Sequence, residues 1–143
     1  MKFVGTKNFT LSELEKSETA EKYKINNSIP QEYKNNARRL LLFLQDLRDK
    51  WGSAIRINSG YRCPELNKIL RGSKTSAHTT CNAVDLWPCN NKFEAFKIFM
   101  IAYLKDKNFD QCIIEKSGDI QWIHLGLYNN SEKQRKQIFK IEN

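Results

Sequence analysis

Ser76-Ala77-His78-Thr79-Thr80-Cys81-Asn82-Ala83-Val84-Asp85-Leu86-Trp87-Pro88 runs from a polar loop into a short apolar strand and carries one of the chain's two histidines. Ala83 to Trp87 reads as a buried strand that Pro88 ends, because proline cannot donate to a sheet ladder. Asp85 stands inside that strand, between Val84 and Leu86. An unpaired carboxylate there would be costly, so it calls for a cation, a metal or several hydrogen-bond donors. Arg62 would meet that need, and so would a metal. The other histidine, His124, follows in Gln121-Trp122-Ile123-His124. Together His78, Asp85 and His124 make a three-ligand set with a position left open for water, the usual protein contribution to a catalytic zinc.

Working outward, the periodicity predicts a small set of helices and strands. Upstream, Thr10-Leu11-Ser12-Glu13 reads as a capping box, with Phe9 and Leu14 as its hydrophobic staple, opening a helix over about residues 11–16. Polar, turn-like sequence continues to Ser28. The strongest helix is Pro30 to Trp51: Tyr33, Ala37, Leu40, Leu44, Leu47 and Trp51 recur at helical spacing, and Gly52 stops it. A strand over Ala54–Asn58 leads into Ser59-Gly60-Tyr61-Arg62, and Pro64–Leu70 reads as a short helix.

Downstream, Asn91 with Glu94 caps a helix carrying Phe93, Phe96, Phe99 and Tyr103. Cys112-Ile113-Ile114-Glu115 and Ile120-Gln121-Trp122-Ile123-His124 read as a hairpin turning at Ser117-Gly118. That register sets Glu115 opposite Ile120 and Gln111 opposite His124, leaving Glu115 roughly 13 Å of backbone from the histidine. Gln137–Ile141 would add a last edge strand. The expected class is α+β, a small antiparallel sheet with helices packed on one side, forming a single domain over residues 1–143.

With 143 residues, 40% of them hydrophobic and 28% charged, the chain can bury a core without disulfides or a structural metal. No apolar run reaches the length of a membrane span, and Met1 to Lys7 shows neither an apolar core nor a cleavage site of a signal peptide. The four cysteines form no C-x-x-C pair, so a closed structural zinc site has little support. Cys63–Cys81 or Cys81–Cys89 bridges stay open for a protein that ends up outside the cell. A net charge of +8 favours an acidic partner, but the basic residues form no dense tract, which disfavours specific nucleic-acid binding.

Ser-Gly-Tyr-Arg after a strand, then Ser-x-His-x-x-x-x-Ala-x-Asp, then Trp-x-His on a late strand, resembles the zinc D-Ala-D-Ala carboxypeptidases and endopeptidases. These share the hedgehog/DD-peptidase fold. The resemblance runs from about Phe9 to Leu127, takes in Asp110-Gln111-Cys112-Ile113-Ile114-Glu115, and looks closest to short members of bacteriophages and prophages. It implies a zinc peptidase acting on peptidoglycan stem peptides, as an endolysin or a virion-associated lysin. Such a protein would be made in the host cytoplasm and act at the cell wall after release or from a virion, with virion components as further partners. The alternative is a catalytically silent wall-binding or virion structural module that keeps the fold and the metal.

The resemblance implies His78, Asp85 and His124 as zinc ligands, Arg62 as the arginine that contacts the substrate carbonyl or carboxylate and suits the oxyanion at the attacked carbonyl, and Ser76 and Tyr61 as substrate contacts. For Ser76, a loop-stabilising hydroxyl is an equal reading. Many members carry the catalytic base three residues before the last histidine, where this chain has Gln121, which cannot act as a base. Glu115 is the favoured substitute, with Asp119 the other candidate if a bulge turns it inward. Cys81 stands where the family usually has glycine, which puts in doubt the backbone conformation there.

Overall fold

Ile55–Ser59 (β1), Ala83–Pro88 (β2), Gln111–Ser117 (β3), Ile120–Gly126 (β4) and Gln137–Glu142 (β5) form one sheet in the order β1-β2-β4-β3-β5. The structure, a computed structural model, describes residues 2–143. The first four strands pair antiparallel, as expected, while β5 joins the β3 edge in parallel. Helices Leu11–Glu15 (α1), Glu18–Lys22 (α2), Lys34–Trp51 (α3), Pro64–Ile69 (α4) and Phe93–Leu104 (α5) complete an α+β fold.

Strand alternation divides the sheet into two faces with different tasks. Val84 and Leu86 of β2, Ile123 and Leu125 of β4 and Cys112 of β3 join one core with Leu40, Leu44 and Leu47 of α3 and Phe96 and Met100 of α5. The intervening residues Asp85 and His124 face each other across the β2–β4 pair. They lie on the opposite face, so the helical core supports the site without competing for its space.

Several expectations shift in detail. Pro30 is extended and precedes a 3-10 turn, Gln31–Tyr33, so the α-helix begins at Lys34 rather than at the proline. Gly52 ends it in the left-handed conformation, φ 81°. The polar stretch before Ser28 contains α2, capped by the Ser17 hydroxyl, which accepts from the Ala20 amide. Only Ala20 of that helix is buried, so no apolar stripe announces it. Asn91 does not cap α5: it has φ 61° and accepts from the Trp87 indole through Oδ1.

The hairpin register moves by two residues. Ser117 pairs with Ile120, so the loop is the two-residue Gly118-Asp119, with Gly118 at φ 61°. A glycine with positive φ suits the first position of a two-residue hairpin loop. Glu115 therefore faces Trp122, not Ile120, and Ile113, not Gln111, faces His124.

No residue of β5 is buried. Its parallel ladder with β3 and the segment before it anchor the strand instead. Lys136 and Gln137 amides donate to the Phe109 and Asp110 carbonyls at 3.0 and 2.9 Å. Arg135 donates to the two carboxylate oxygens of Asp110 at 2.8 Å each. All four cysteines are free, so neither envisaged bridge is present. Among the described residues no helix is long and apolar enough to cross a membrane.

Gly60 couples the helical layer to the site. A Cβ there would lie 2.7 Å from the Leu14 carbonyl oxygen, and the Tyr61 amide donates to that same oxygen at 2.7 Å. Gly60→Ala should therefore push α1 away and lower the unfolding midpoint. Leu44→Ala, in the fully buried seam of α3, should cost about 2–5 kcal/mol, and Ile98→Ala, on the exposed face of α5, less than about 0.5 kcal/mol. Urea unfolding of the three variants checks the order.

Candidate metal centre

His78 sits in a 3-10 turn, Ala77–Thr80, that Ser76 opens by accepting from the His78 amide through its hydroxyl, at 3.2 Å. The His78 Nδ1 is 2.7 Å from the Gly60 carbonyl. A carbonyl can only accept, so Nδ1 carries the proton and Nε2 presents its lone pair to the site. That Nε2 lies 3.4 Å from Asp85 Oδ1, and His124 Nδ1 lies 3.2 Å from the same oxygen. The ligand atoms of His78, Asp85 and His124 all fall within 4.8 Å of one another. They come from a turn and two paired strands, so a site of this shape depends on the β2–β4 register.

Burial alone would raise the Asp85 carboxyl, yet the imidazoles of His78 and His124 outweigh it and hold the group well below the usual carboxylate range. Asp85 is thus an anion at neutral pH, ready to act as a ligand. Its Oδ2 faces Arg62 Nη2 at 3.4 Å, so the cation and the ligand set both answer the strand's buried charge. Arg62 is steadied by donating from Nε to the Ser59 hydroxyl at 3.2 Å. Two imidazoles and one ionised carboxylate, with the Gly60 carbonyl orienting His78 from behind, form a donor set suited to zinc.

The three residues open onto a cleft of about 470 Å³ whose walls include Arg62, Ser76, Glu115, Trp122, Asp110 and Arg135. Glu115 is closer to the centre than the expected register placed it. Facing Trp122, it is the diagonal neighbour of His124, about 7–8 Å away between backbones. The Trp122 indole donates to Glu115 Oε2 at 3.0 Å. Among the described residues Oε1 has no hydrogen-bond partner in the protein.

The other expected site residues separate. Asp119 lies in the exposed hairpin turn and is not part of the cleft wall, because the strands run on without a bulge to turn it inward. Tyr61 is buried, 4% exposed, with its ring 6.3 Å from that of Tyr33; it belongs to the core and not to the cleft. Burial pushes its hydroxyl up to about 12. Ser76 lines the cleft while its hydroxyl supports the turn. Gln121 is an odd number of residues from His124 on a regular strand and so faces the other side. Cys81 does take the left-handed conformation that favours glycine, φ 60°, and its thiol is buried, with burial pushing it up to about 12.

Three wall residues escaped the sequence reading. Trp122 was visible only as part of Trp-x-His; its indole holds Glu115. Asp110, 2% exposed, takes three donors from Arg135: the amide at 3.0 Å and the two guanidinium contacts. Burial works against the Asp110 anion, but these bonds hold its carboxyl below the ordinary value, with His124 adding to the effect. Charged Asp110 beside apolar Phe109 was the available signal. Arg135 lies among exposed lysines and gave none.

An open site of two histidines and a carboxylate, in a cleft with an unengaged carboxylate oxygen nearby, is the equipment of a metal-dependent hydrolase. The chain matches the family model for Peptidase M15 over residues 7–126 and belongs to that family, a family of metallopeptidases. The match ends with the last residue of β4, so the Asn129–Lys136 segment and β5 lie beyond it. A search of curated proteins returns no matching relative.

Metal content and thermal unfolding test the site directly. The chain should bind roughly one zinc ion and melt higher with zinc than without, because a ligand that binds only the folded state stabilises it. His78→Ala and His124→Ala should lose both effects, and acidification should release the metal as protons compete for the imidazoles.

Proposed function

We propose that this chain is a zinc-dependent peptidase that cleaves the stem peptides of peptidoglycan. The observation that carries this reading is the convergence of His78 Nε2, His124 Nδ1 and Asp85 Oδ1 on a cleft that also holds Glu115 and Arg62. Those three atoms would hold the zinc. When bound, zinc supplies Lewis acidity toward a peptide carbonyl and makes water easier to deprotonate.

The chain's own residues supply the rest. Glu115 Oε1 takes the proton of the attacking water and passes it to the leaving amine, while the Trp122 indole keeps Oε2 engaged and the carboxylate oriented. The Arg62 guanidinium, held by Ser59 and Asp85, offers its remaining N–H groups to the carbonyl oxygen as negative charge grows there. The cleft walls keep an extended peptide over the sheet.

Peptidoglycan as substrate is supported by the resemblance to D-Ala-D-Ala peptidases and by a net charge of +8, which favours residence on an anionic wall. A role as a phage or prophage lysin, after release or from a virion, is part of the same proposal and rests on the resemblance to short phage-type members.

Purified peptidoglycan digested with the zinc-loaded chain should yield stem-peptide fragments, with mass spectrometry identifying the bond, and a chelator should stop the release. Glu115→Gln should lower turnover by roughly 10²–10⁴-fold while keeping the zinc, and Asp119→Asn should change it little. Full activity in Glu115→Gln would remove the base assignment. A zinc-loaded parent that releases nothing would favour the silent wall-binding or virion module instead.

A further inference from the structure

The Asp110–Arg135 pair ties the segment before β5 to the start of β3 and leaves part of the guanidinium free. Asp110 is buried at the start of β3 and engages Arg135 through the backbone amide, Nε and Nη2. Three bonds from one residue to one carboxylate fix the guanidinium in a single orientation. Nη1 makes no hydrogen bond within the described protein, and the Arg135 side chain stays 43% exposed. Arg135 is part of the wall of the same cleft as the candidate metal centre.

Sheet order places Arg135 across the centre from Arg62. Arg62 follows β1 and touches Asp85 on β2, whereas Asp110 opens β3, two strand spacings from β2 or about 10 Å. An extended peptide lying across the cleft therefore meets one arginine on each side of the ligand set. A divalent ion, Arg62 and Arg135 give the lining four positive charges, against three negative ones from Asp85, Asp110 and Glu115. The surplus favours an anionic peptide.

The segment that carries Arg135 is built rather than loose. Asn129 Oδ1 accepts from the Ser131 and Lys133 amides at 2.9 Å each, and Gln134 donates to the Leu127 carbonyl at 3.1 Å. It lies beyond the residues that the family model matches.

We propose that Arg135, held rigid by buried Asp110, is a specificity-determining residue that binds a free carboxylate of the peptide substrate through its outward guanidinium edge. The inference rests on the peptidase reading, and it adds the substrate class: peptides bearing a carboxylate on the β3 side of the metal centre. A pre-oriented guanidinium suits this because little side-chain freedom remains to be lost on binding.

The test uses the full zinc-loaded chain and synthetic stem-type peptides whose carboxylates are amidated one at a time. One carboxylate should matter: amidating it should raise KM roughly tenfold or more with kcat nearly unchanged, the size of one charge-assisted hydrogen bond. Arg135→Gln should bring KM for the acid peptide up to that for the amide, erasing the preference, and Arg135→Lys should restore part of it. Equal losses on both peptides in Arg135→Gln would mean a structural role only and would overturn the proposal. So would an undiminished preference in that variant, or no preference in the parent.

Equilibrium binding of the same peptides in the Glu115→Gln background, with and without Arg135→Gln, gives a readout that needs no turnover. A parent that cleaves no peptide, yet with binding that distinguishes acid from amide through Arg135, would sink the peptidase reading and leave the carboxylate site standing. Binding that ignores Arg135 would sink the carboxylate site.

Discussion

A carboxylate fixed on a strand between two wholly buried side chains is the constraint around which this molecule is organised. Val84 and Leu86 commit β2 to the core, and their alternation leaves Asp85 on the other face, where it must be compensated. His124 meets it from the paired strand, His78 from a turn locked to Gly60, and Arg62 from the loop after β1. The packing that stabilises the fold and the charge balance that defines the site are two sides of one strand. Gly60 shows the same economy: it admits the α1 backbone on one side and orients the His78 imidazole on the other.

Charge placement in the cleft follows a graded pattern. Asp85 lies between Arg62 and two imidazoles and stays ionised, Glu115 is held at one oxygen and unengaged at the other, and Asp110 is saturated by Arg135. Three carboxylates thus stand in three different hydrogen-bonding environments within one cleft.

Much of this was legible in the sequence, and the gaps have physical causes. His78, Asp85 and His124 stood out because histidine is rare in the chain and a carboxylate inside an apolar strand demands a partner. The α3 stripe and the apolar β-strands declared themselves by period. The hairpin register did not, because both a Ser117-Gly118 and a Gly118-Asp119 turn suit the local sequence, and the choice moves Glu115 by two positions relative to His124. Tyr61 turns into the core while its neighbour Arg62 faces the cleft, because adjacency in a loop says nothing of side-chain direction. Arg135 was invisible because its partner, Asp110, lies 25 residues earlier and is recognised only once β3 and β5 are aligned.

The β2–β4 pairing carries a consequence for how the molecule is made. Asp85 and His124 are 39 residues apart, whereas β3 and β4 are joined by a two-residue loop. The hairpin is a local structure that closes with a small entropic cost, and the β2–β4 ladder requires a longer loop to close. A half-folded chain can therefore own the hairpin and its histidine without owning the ligand set. The three candidate ligand residues come together only once the long-range β2–β4 ladder has closed, so a metal ion added during refolding would report on that ladder and not on the hairpin.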